Sequence, residues 1–571
     1  MPDHPIPRPS HSSKRYTFLS LDSSNAPTTD RPENLDEKDS STENDADHIE
    51  VQRSSLSPIE YPRELDIDLE TRGEREGYIL DVNVLKQVTP KWEDYQLAQD
   101  GKTVLIPQPS LDPTDPLNWS WWKKHTVLLL IAWAAFLPDY GSATGAVTLI
   151  PQAKVWGITP DKVNHSQAGN VFMLGAAGPI VVALSAYFGR LPVLFWFIFH
   201  SIWTAAGCAG AKTFNTFFTF RVLNGFFSTV AQGGGVMFIK DMFYVHERAR
   251  KINVWATFFI LSPYFGPLIA AFIITTQNWD VAFWVFTAMV GLCFILIILF
   301  GDETFYNRKV PPEQRPGRAP GVGGRISRLI GIEQWRSRRQ WSSFKQACMR
   351  PVIVLLKPTV FLSCTFYLFT FAWAVGINTT LTIFVTPLYD FGPKQIGYFY
   401  FTPVVAACLG EMVGYGLHDQ LARFLTRRNP EHKLEPEYRL MAISFSTPFA
   451  VTGLVVVGFA LENAWHYMVT AVGWGLYVFG MMVTSVALTS YNLDCYPEGA
   501  GETGAWLNFA RTTGGFIVSY FQVDWAKAQG TKKSFSIQAG ICAAAYFVVV
   551  YLQIYGKRLR ERAGPLQFKT D

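Results

Sequence analysis

Residues 283–300 read FWVFTAMVGLCFILIILF, eighteen positions in a row without a charge. At ~1.5 Å of rise per helical residue such a run covers ~27 Å, close to the ~30 Å hydrocarbon core of a bilayer. A segment apolar on every side suits lipid, where a helix closes its backbone hydrogen bonds within itself. Residues 126–147, TVLLLIAWAAFLPDYGSATGAV, repeat the pattern with a single acid inside. Working outward gives twelve such stretches, at about 124–148, 166–188, 193–211, 216–238, 252–274, 280–300, 360–384, 395–417, 440–461, 465–488, 501–522 and 537–556. We number them spans 1 to 12.

Composition agrees. The 571 residues are 49% hydrophobic and 17% charged, against about 25% charged in an ordinary soluble chain. The net charge of +4 gives no bulk basicity for nucleic acid, so no nucleic-acid partner is expected. The seven cysteines are scattered without C-x-x-C or metal-ligand spacing, which predicts small buried hydrophobes and no metal site. The first 60 residues lack the apolar core of a signal peptide and carry twelve acids against six bases. They cannot bury enough apolar surface to offset their conformational entropy, so a disordered tail is expected there.

The longest break between spans, Gly301 to Pro358, divides them six and six. The predicted organisation is an acidic tail and pre-membrane segment at 1–122, a six-helix bundle at 123–300, a basic linker at 301–358, a second bundle at 359–556 and a short tail at 557–571. Lysine and arginine set the orientation. If the N-terminus is inside, the inner connections hold twenty-two and the outer ones seven, with twelve of the inner set in the linker. Both termini are therefore expected in the cytoplasm. The linker, NRKVPPEQRPGRAPGVGGRISRLIGIEQWRSRRQW from 307 to 341, reads as a solvated tether or as an amphipathic segment on anionic lipid.

Polar residues inside spans are costly and mark function. Asp139, in span 1 after Pro138, is the leading proton carrier, with Arg221 of span 4 as the cation that modulates it. Glu411 in span 8 and Arg511 in span 11, with Asn508 one turn away, are candidates for the substrate cavity, as are Asn378 in span 7 and Gln232 in span 4. The alternative for each is a structural tie between helices. Asn164-His165-Ser166 is a sequon in the first outer loop, so Asn164 is a candidate glycosylation site. Gly233-Gly234-Gly235 lacks the G-K-[ST] of a phosphate loop and no Walker pattern occurs, which excludes an ATP-driven pump. No convergent Ser/His/Asp set, metal set or carboxylate pair stands in the spans, so no catalytic residues and no enzyme are expected.

Three patterns on the matching spans resemble the major facilitator superfamily, specifically its twelve-span drug:proton antiporter branch, over about 111–556. Gly189-Arg190-Leu191-Pro192 between spans 2 and 3 is similar to the tail of G-x-L-a-D-R-x-G-R-R, with Ala186, Tyr187 and Leu191 at the positions of its Asp and two of its Arg residues. Asp419 and Arg423 after span 8 are the expected second-half counterpart. Arg221-Val-Leu-Asn-Gly225 resembles R-x-x-x-G. Ser262-Pro-Tyr-Phe-Gly266-Pro267-Leu-Ile-Ala-Ala resembles G-x-x-x-G-P-x-x-G-G. The Asp112-Pro-Thr-Asp-Pro-Leu-Asn-Trp119 stretch is typical of fungal members.

The resemblance implies an all-α membrane protein of two six-helix bundles. It implies an Arg221 that tunes proton release, a kink at Gly266-Pro267, and a charge latch around Gly189 and Arg190. The expected function is proton-coupled antiport of small organic molecules out through the plasma membrane. The proton gradient supplies the energy, no cofactor is used, and the protein works as a monomer in contact with lipid. An importer of an organic cation or nutrient is the first alternative, and a non-transporting sensor is the rival from another class.

Overall fold

In a computed structural model, residues 95–308, 318–319, 321–336, 343–428, 435–566 and 568 are described. The acidic tail up to residue 94, the basic run 337–342, and the side chains of Asp419 and Arg423 lie outside the described residues.

Each predicted span is helical: Trp121–Trp156, Pro160–Phe188, Arg190–Ala209, Phe214–Met242, Val245–Thr276, Trp279–Phe300, Pro358–Tyr389, Pro393–Arg428, Met441–Glu462, Tyr467–Cys495, Ala500–Gln529 and Thr531–Ala563. Capping explains several boundaries. The side chains of Ser120, Thr159 and Thr213 accept backbone N–H groups in the first turns of spans 1, 2 and 4. Gly157 closes span 1 at φ 64°, and Gly189 turns span 2 into span 3 at φ 96°, a conformation that a side chain would strain. Span 4 breaks at Thr229, whose hydroxyl donates to the Leu174 carbonyl at 2.6 Å. Span 8 breaks at Tyr400, whose hydroxyl donates to the Asn378 carbonyl at 2.9 Å.

Among the described residues, eleven of these helices are long and apolar enough to cross a membrane. The twelfth, Ala500–Gln529, is too polar by composition alone. Its Thr503, Asn508, Arg511, Thr512, Ser519 and Gln522 are all buried, so they face protein rather than lipid. Burial sorts the others too. About 78% of the apolar window is buried in spans 1, 4 and 10, but 28% in span 6, which is peripheral. One apolar cluster joins spans 1 to 6. A second joins spans 7 to 12 and takes in Val147, Tyr264, Leu268 and Ala271 from the first half.

At the end bearing the termini, the pre-membrane segment is folded rather than loose from residue 95. Val104 and Ile106 are buried, and the Ile106 carbonyl accepts the Val245 N–H. Asp115 is fully buried, accepts Leu117 N–H and the Ser110 hydroxyl, and pairs with Arg308 at 2.9 Å. The Gly189-Arg190 turn acquires its acids from elsewhere in the chain. Arg190 Nε donates to Asp241 at 3.1 Å, and the Arg190 and Leu191 amides donate to the two oxygens of Glu303. Glu303, from beyond span 6, thus accepts the first free amides of span 3, while Asp241 takes the Arg190 side chain. Burial pushes the Glu303 carboxyl above the usual carboxylate range, against the opposing pull of those N–H groups.

Candidate functional site

The two bundles enclose a cavity of about 40 Å³ whose wall includes Asp139, Ser142, Gln167, Phe259, Tyr264, Tyr367, Phe371, Asn378, Ser485 and Arg511. At one end of it Asp139 and Arg511 form an ion pair across the bundle interface, with Arg511 Nη2 2.8 Å from Asp139 Oδ2. Gln232 Nε2 donates to the same oxygen at 2.6 Å. Asn508 Oδ1 accepts from Arg511 Nη2 at 2.9 Å, while its own amide reaches the Leu174 carbonyl at 3.4 Å. Both charged side chains are buried. The guanidinium also lies over two rings, 4.8 Å from Phe259 and 5.5 Å from Phe371.

This alters the pairing expected from the sequence. Arg221 is buried but, among the described residues, bonds no carboxylate: Nη1 donates to the Gly141 carbonyl at 2.7 Å and Nη2 to that of Ser142 at 2.8 Å. It ties span 4 to span 1 just past Asp139, and the countercharge of Asp139 is Arg511. Gln232 and Asn508 hold the pair rather than line the cavity. Glu411 is outside the wall, half-buried on span 8, with Oε2 buried and without a hydrogen-bond partner among the described residues. Gly225 packs on the Asn170 carbonyl of span 2, where Asn170 Nδ2 returns a bond to the Arg221 carbonyl at 2.6 Å.

Asn378 does line the cavity, and it does more. Pro267 has no N–H to offer the carbonyl four residues earlier. That carbonyl, of Pro263, accepts from Asn378 Nδ2 at 3.1 Å, so the two-proline stretch of span 5 is tied to span 7 of the other bundle. Thr382 adds a bond from span 7 to the Ala146 carbonyl of span 1 at 2.8 Å, and His165 stacks on Tyr520 at 4.4 Å. These ties close the side away from the termini. On the terminus-bearing side, Lys240 Nζ reaches the Pro497 carbonyl at 3.3 Å, and Gly501 packs on Met237. The cavity lies between two layers of inter-bundle contact.

Asn164 was a candidate for glycosylation. It is instead buried, and Nδ2, the atom a glycan would need, donates to the Ser519 carbonyl at 3.1 Å. Endoglycosidase treatment is expected to leave the protein's electrophoretic mobility unchanged, as is Asn164→Gln. An endoglycosidase shift that Asn164→Gln abolishes would show that this contact does not form.

The sequence reading missed Phe259, Tyr264, Tyr367 and Phe371. Tyr264 sits inside the Ser262–Ala271 stretch and Phe259 one turn before Pro263, so the two prolines were the available signal. Aromatic residues elsewhere in the spans look the same in sequence, and nothing local marks Tyr367 or Phe371.

Residues 129–519 match the family model described as Major Facilitator Superfamily. The chain is 25% identical over 456 residues to the MFS-type transporter atr4 of Stereocaulon alpinum, covering 79% of this chain and 81% of that protein. It is 26% identical over 479 residues to the MFS-type transporter penM of Penicillium rubens, covering 81% and 92%. It is 24% identical over 496 residues to the Multidrug transporter TPO3 of Candida glabrata, covering 85% and 76%. Among solved structures, the partially occluded inward-open form of the xylose transporter XylE from E. coli aligns at a TM-score of 0.51 and 15% identity, over 76% of this chain and 99% of that one. That likeness speaks to the fold alone.

Proposed function

This chain belongs to the major facilitator superfamily, a membrane transporter and not an enzyme, and from that premise we propose that it exchanges protons for small organic molecules, exporting them by alternating access. The observation that carries this reading is the Asp139–Arg511 pair. It is buried, it spans the two bundles, and a single proton on Asp139 removes the carboxylate charge that holds Arg511. A proton on Asp139 dissolves the ionic tie between span 1 and span 11. Gln232 and Asn508 keep the two side chains placed, and the freed contact lets the bundles rock about the site. Asp139 is the proton carrier; Arg221, bound to the span 1 carbonyls beside it, holds that part of the helix in position.

Cargo of drug or secondary-metabolite type fits the wall, where Phe259, Tyr264, Tyr367 and Phe371 offer ring faces and Asn378, Gln167 and Ser142 offer polar ends. At about 40 Å³ the cavity is far below the ~300 Å³ of a drug-sized site, so loading requires one contact layer to open. A relative named as a multidrug transporter supports the class of cargo. The proton gradient is the energy source, with no cofactor. The protein acts as a monomer in the plasma membrane with both termini in the cytoplasm, as the basic excess of its inner connections indicates.

The test is transport in proteoliposomes under an imposed pH gradient, with a panel of planar organic amines and acids as probes and a pH dye inside. Cargo moving against the proton flux supports antiport. Cargo moving with it would make the protein an importer, and transport indifferent to a protonophore would end the proton-coupled reading.

A further inference from the structure

The basic linker is the feature that transport leaves unexplained. Ahead of the helix Phe344–Leu355, its described part holds two short helices, Gly321–Ile330 and Ile332–Arg336. The first has an apolar row at i, i+4 and i+8, namely Val322, Ile326 and Ile330, which are 76%, 49% and 39% exposed. Ile332 and Trp335 extend it, also exposed. Leu329, at the edge of the same face, is buried against the first bundle. The helix is thus apolar on a sector wider than the protein covers. A folded chain seldom leaves such a row to water.

The position of the helix says what covers the rest. Arg325 donates to the Ile298 and Gly301 carbonyls at the end of span 6, at 2.7 and 3.3 Å. Trp196 of span 3 donates its indole N–H to the Ile330 carbonyl at 3.2 Å. Gln334 bonds Glu303 at 3.1 Å. The helix is therefore pinned at the ends of spans 3 and 6. The neighbouring exposed residues of those spans, Trp196, Phe199, Ile298, Leu299 and Phe300, belong to their lipid-facing surfaces. The hydrogen bonds of Arg325 and Trp196 bring the exposed row beside that surface. Trp335, stacked 6.2 Å from Phe188 at the end of span 2, and Trp196 mark headgroup depth, where indoles concentrate. The basic side chains Arg318 and Arg328 are turned to Asp302 instead, which leaves the apolar row free of charge.

We propose that Gly321–Ile330 is a membrane-surface helix, with Val322, Ile326 and Ile330 inserted in the leaflet on the terminus-bearing side. The occupant is lipid. The helix then seats the first bundle in that leaflet, while the next linker helix, Phe344–Leu355, bridges the two bundles: Phe344 packs on Tyr187 of span 2 at 5.2 Å, Arg350 pairs with Glu502 at 2.8 Å, and the Trp506 indole donates to the Pro351 carbonyl at 2.8 Å.

The experiment is site-directed spin labelling of the full chain in nanodiscs of one copy each, with exposed Cys348 and Cys408 replaced by Ser. Single cysteines go in at 322, 326 and, about 100° round the helix from 326, at 327. Oxygen, which enters lipid, should relax the labels at 322 and 326 more than a water-soluble nickel chelate does, with the order reversed at 327. Equal nickel access at all three positions would overturn the proposal. So would labels at 322 and 326 that neither agent reaches, which would mean a protein cover. An Ile326→Asp variant read from a label at 322 should lose at least half of the oxygen preference; an unchanged preference would also overturn it.

Discussion

Asp139→Asn is expected to abolish gradient-driven transport and to lower stability by about 3–5 kcal/mol, because it strands the Arg511 guanidinium in the bundle interior. Arg511→Met is expected to abolish transport too, but at a smaller loss of stability. The asymmetry follows from chemistry: a carboxyl left without its partner can bind a proton and become neutral, while a guanidinium cannot lose its charge. Combining the two should recover most of the stability, since both charges are then gone and a methionine fills the space between Phe259 and Phe371. Transport should stay at zero in the double variant. Thermal unfolding of the four proteins in detergent, beside proton flux in proteoliposomes, checks this. Additive losses of stability would mean that the two side chains do not interact, and proton-coupled transport by Asp139→Asn would remove the residue from its role.

How much of this site was legible beforehand depends on the kind of contact. Asp139 and Arg511 each stood out, because a charge in the middle of an apolar span is costly wherever it occurs. Their pairing did not stand out, since 372 positions separate them and no local pattern reports which helices meet. Arg221 lay on a matching motif and was the natural partner on that ground. The structure gives it backbone carbonyls because spans 1 and 4 approach closely enough for its guanidinium to reach Gly141 and Ser142. The polar character of Ala500–Gln529 makes the same point. Composition alone withholds it from the membrane helices, yet its polar residues are buried between the bundles, where a cavity and interhelical bonds replace lipid. Glu303 shows the limit from the other direction. The acid that accepts the Arg190 and Leu191 amides could not be sought by motif, because it stands more than a hundred residues later in the chain.

Gly266→Val is expected to be the most damaging change outside the ion pair. Spans 1 and 5 meet backbone to backbone at this glycine. A Cβ there would collide with the Tyr140 carbonyl and come within 3.1 Å of the Thr144 amide nitrogen. Neither is the flexible end of a side chain, so the clash is relieved only by moving a helix. Overpacking of this kind costs about 1–3 kcal/mol for a small addition, and two further methyl groups push toward the upper end. The cost extends to function. Span 5 carries Phe259, Pro263 and Tyr264 into the cavity wall, and its Pro263 carbonyl holds Asn378 of the other bundle, so displacing span 5 disturbs both. Transport is therefore expected to fall at least tenfold even in the fraction that folds. Gly291 supplies the control. It lies in peripheral span 6 with nothing within 4 Å of where its Cβ would be. There Gly→Ala should stabilise by about 0.5–1 kcal/mol, the gain of a better helix former, and Gly291→Val should leave transport intact. Equal melting temperatures for Gly266→Val and Gly291→Val would mean that spans 1 and 5 do not approach this closely, and the Gly266-Pro267 kink would then have no part in shaping the cavity.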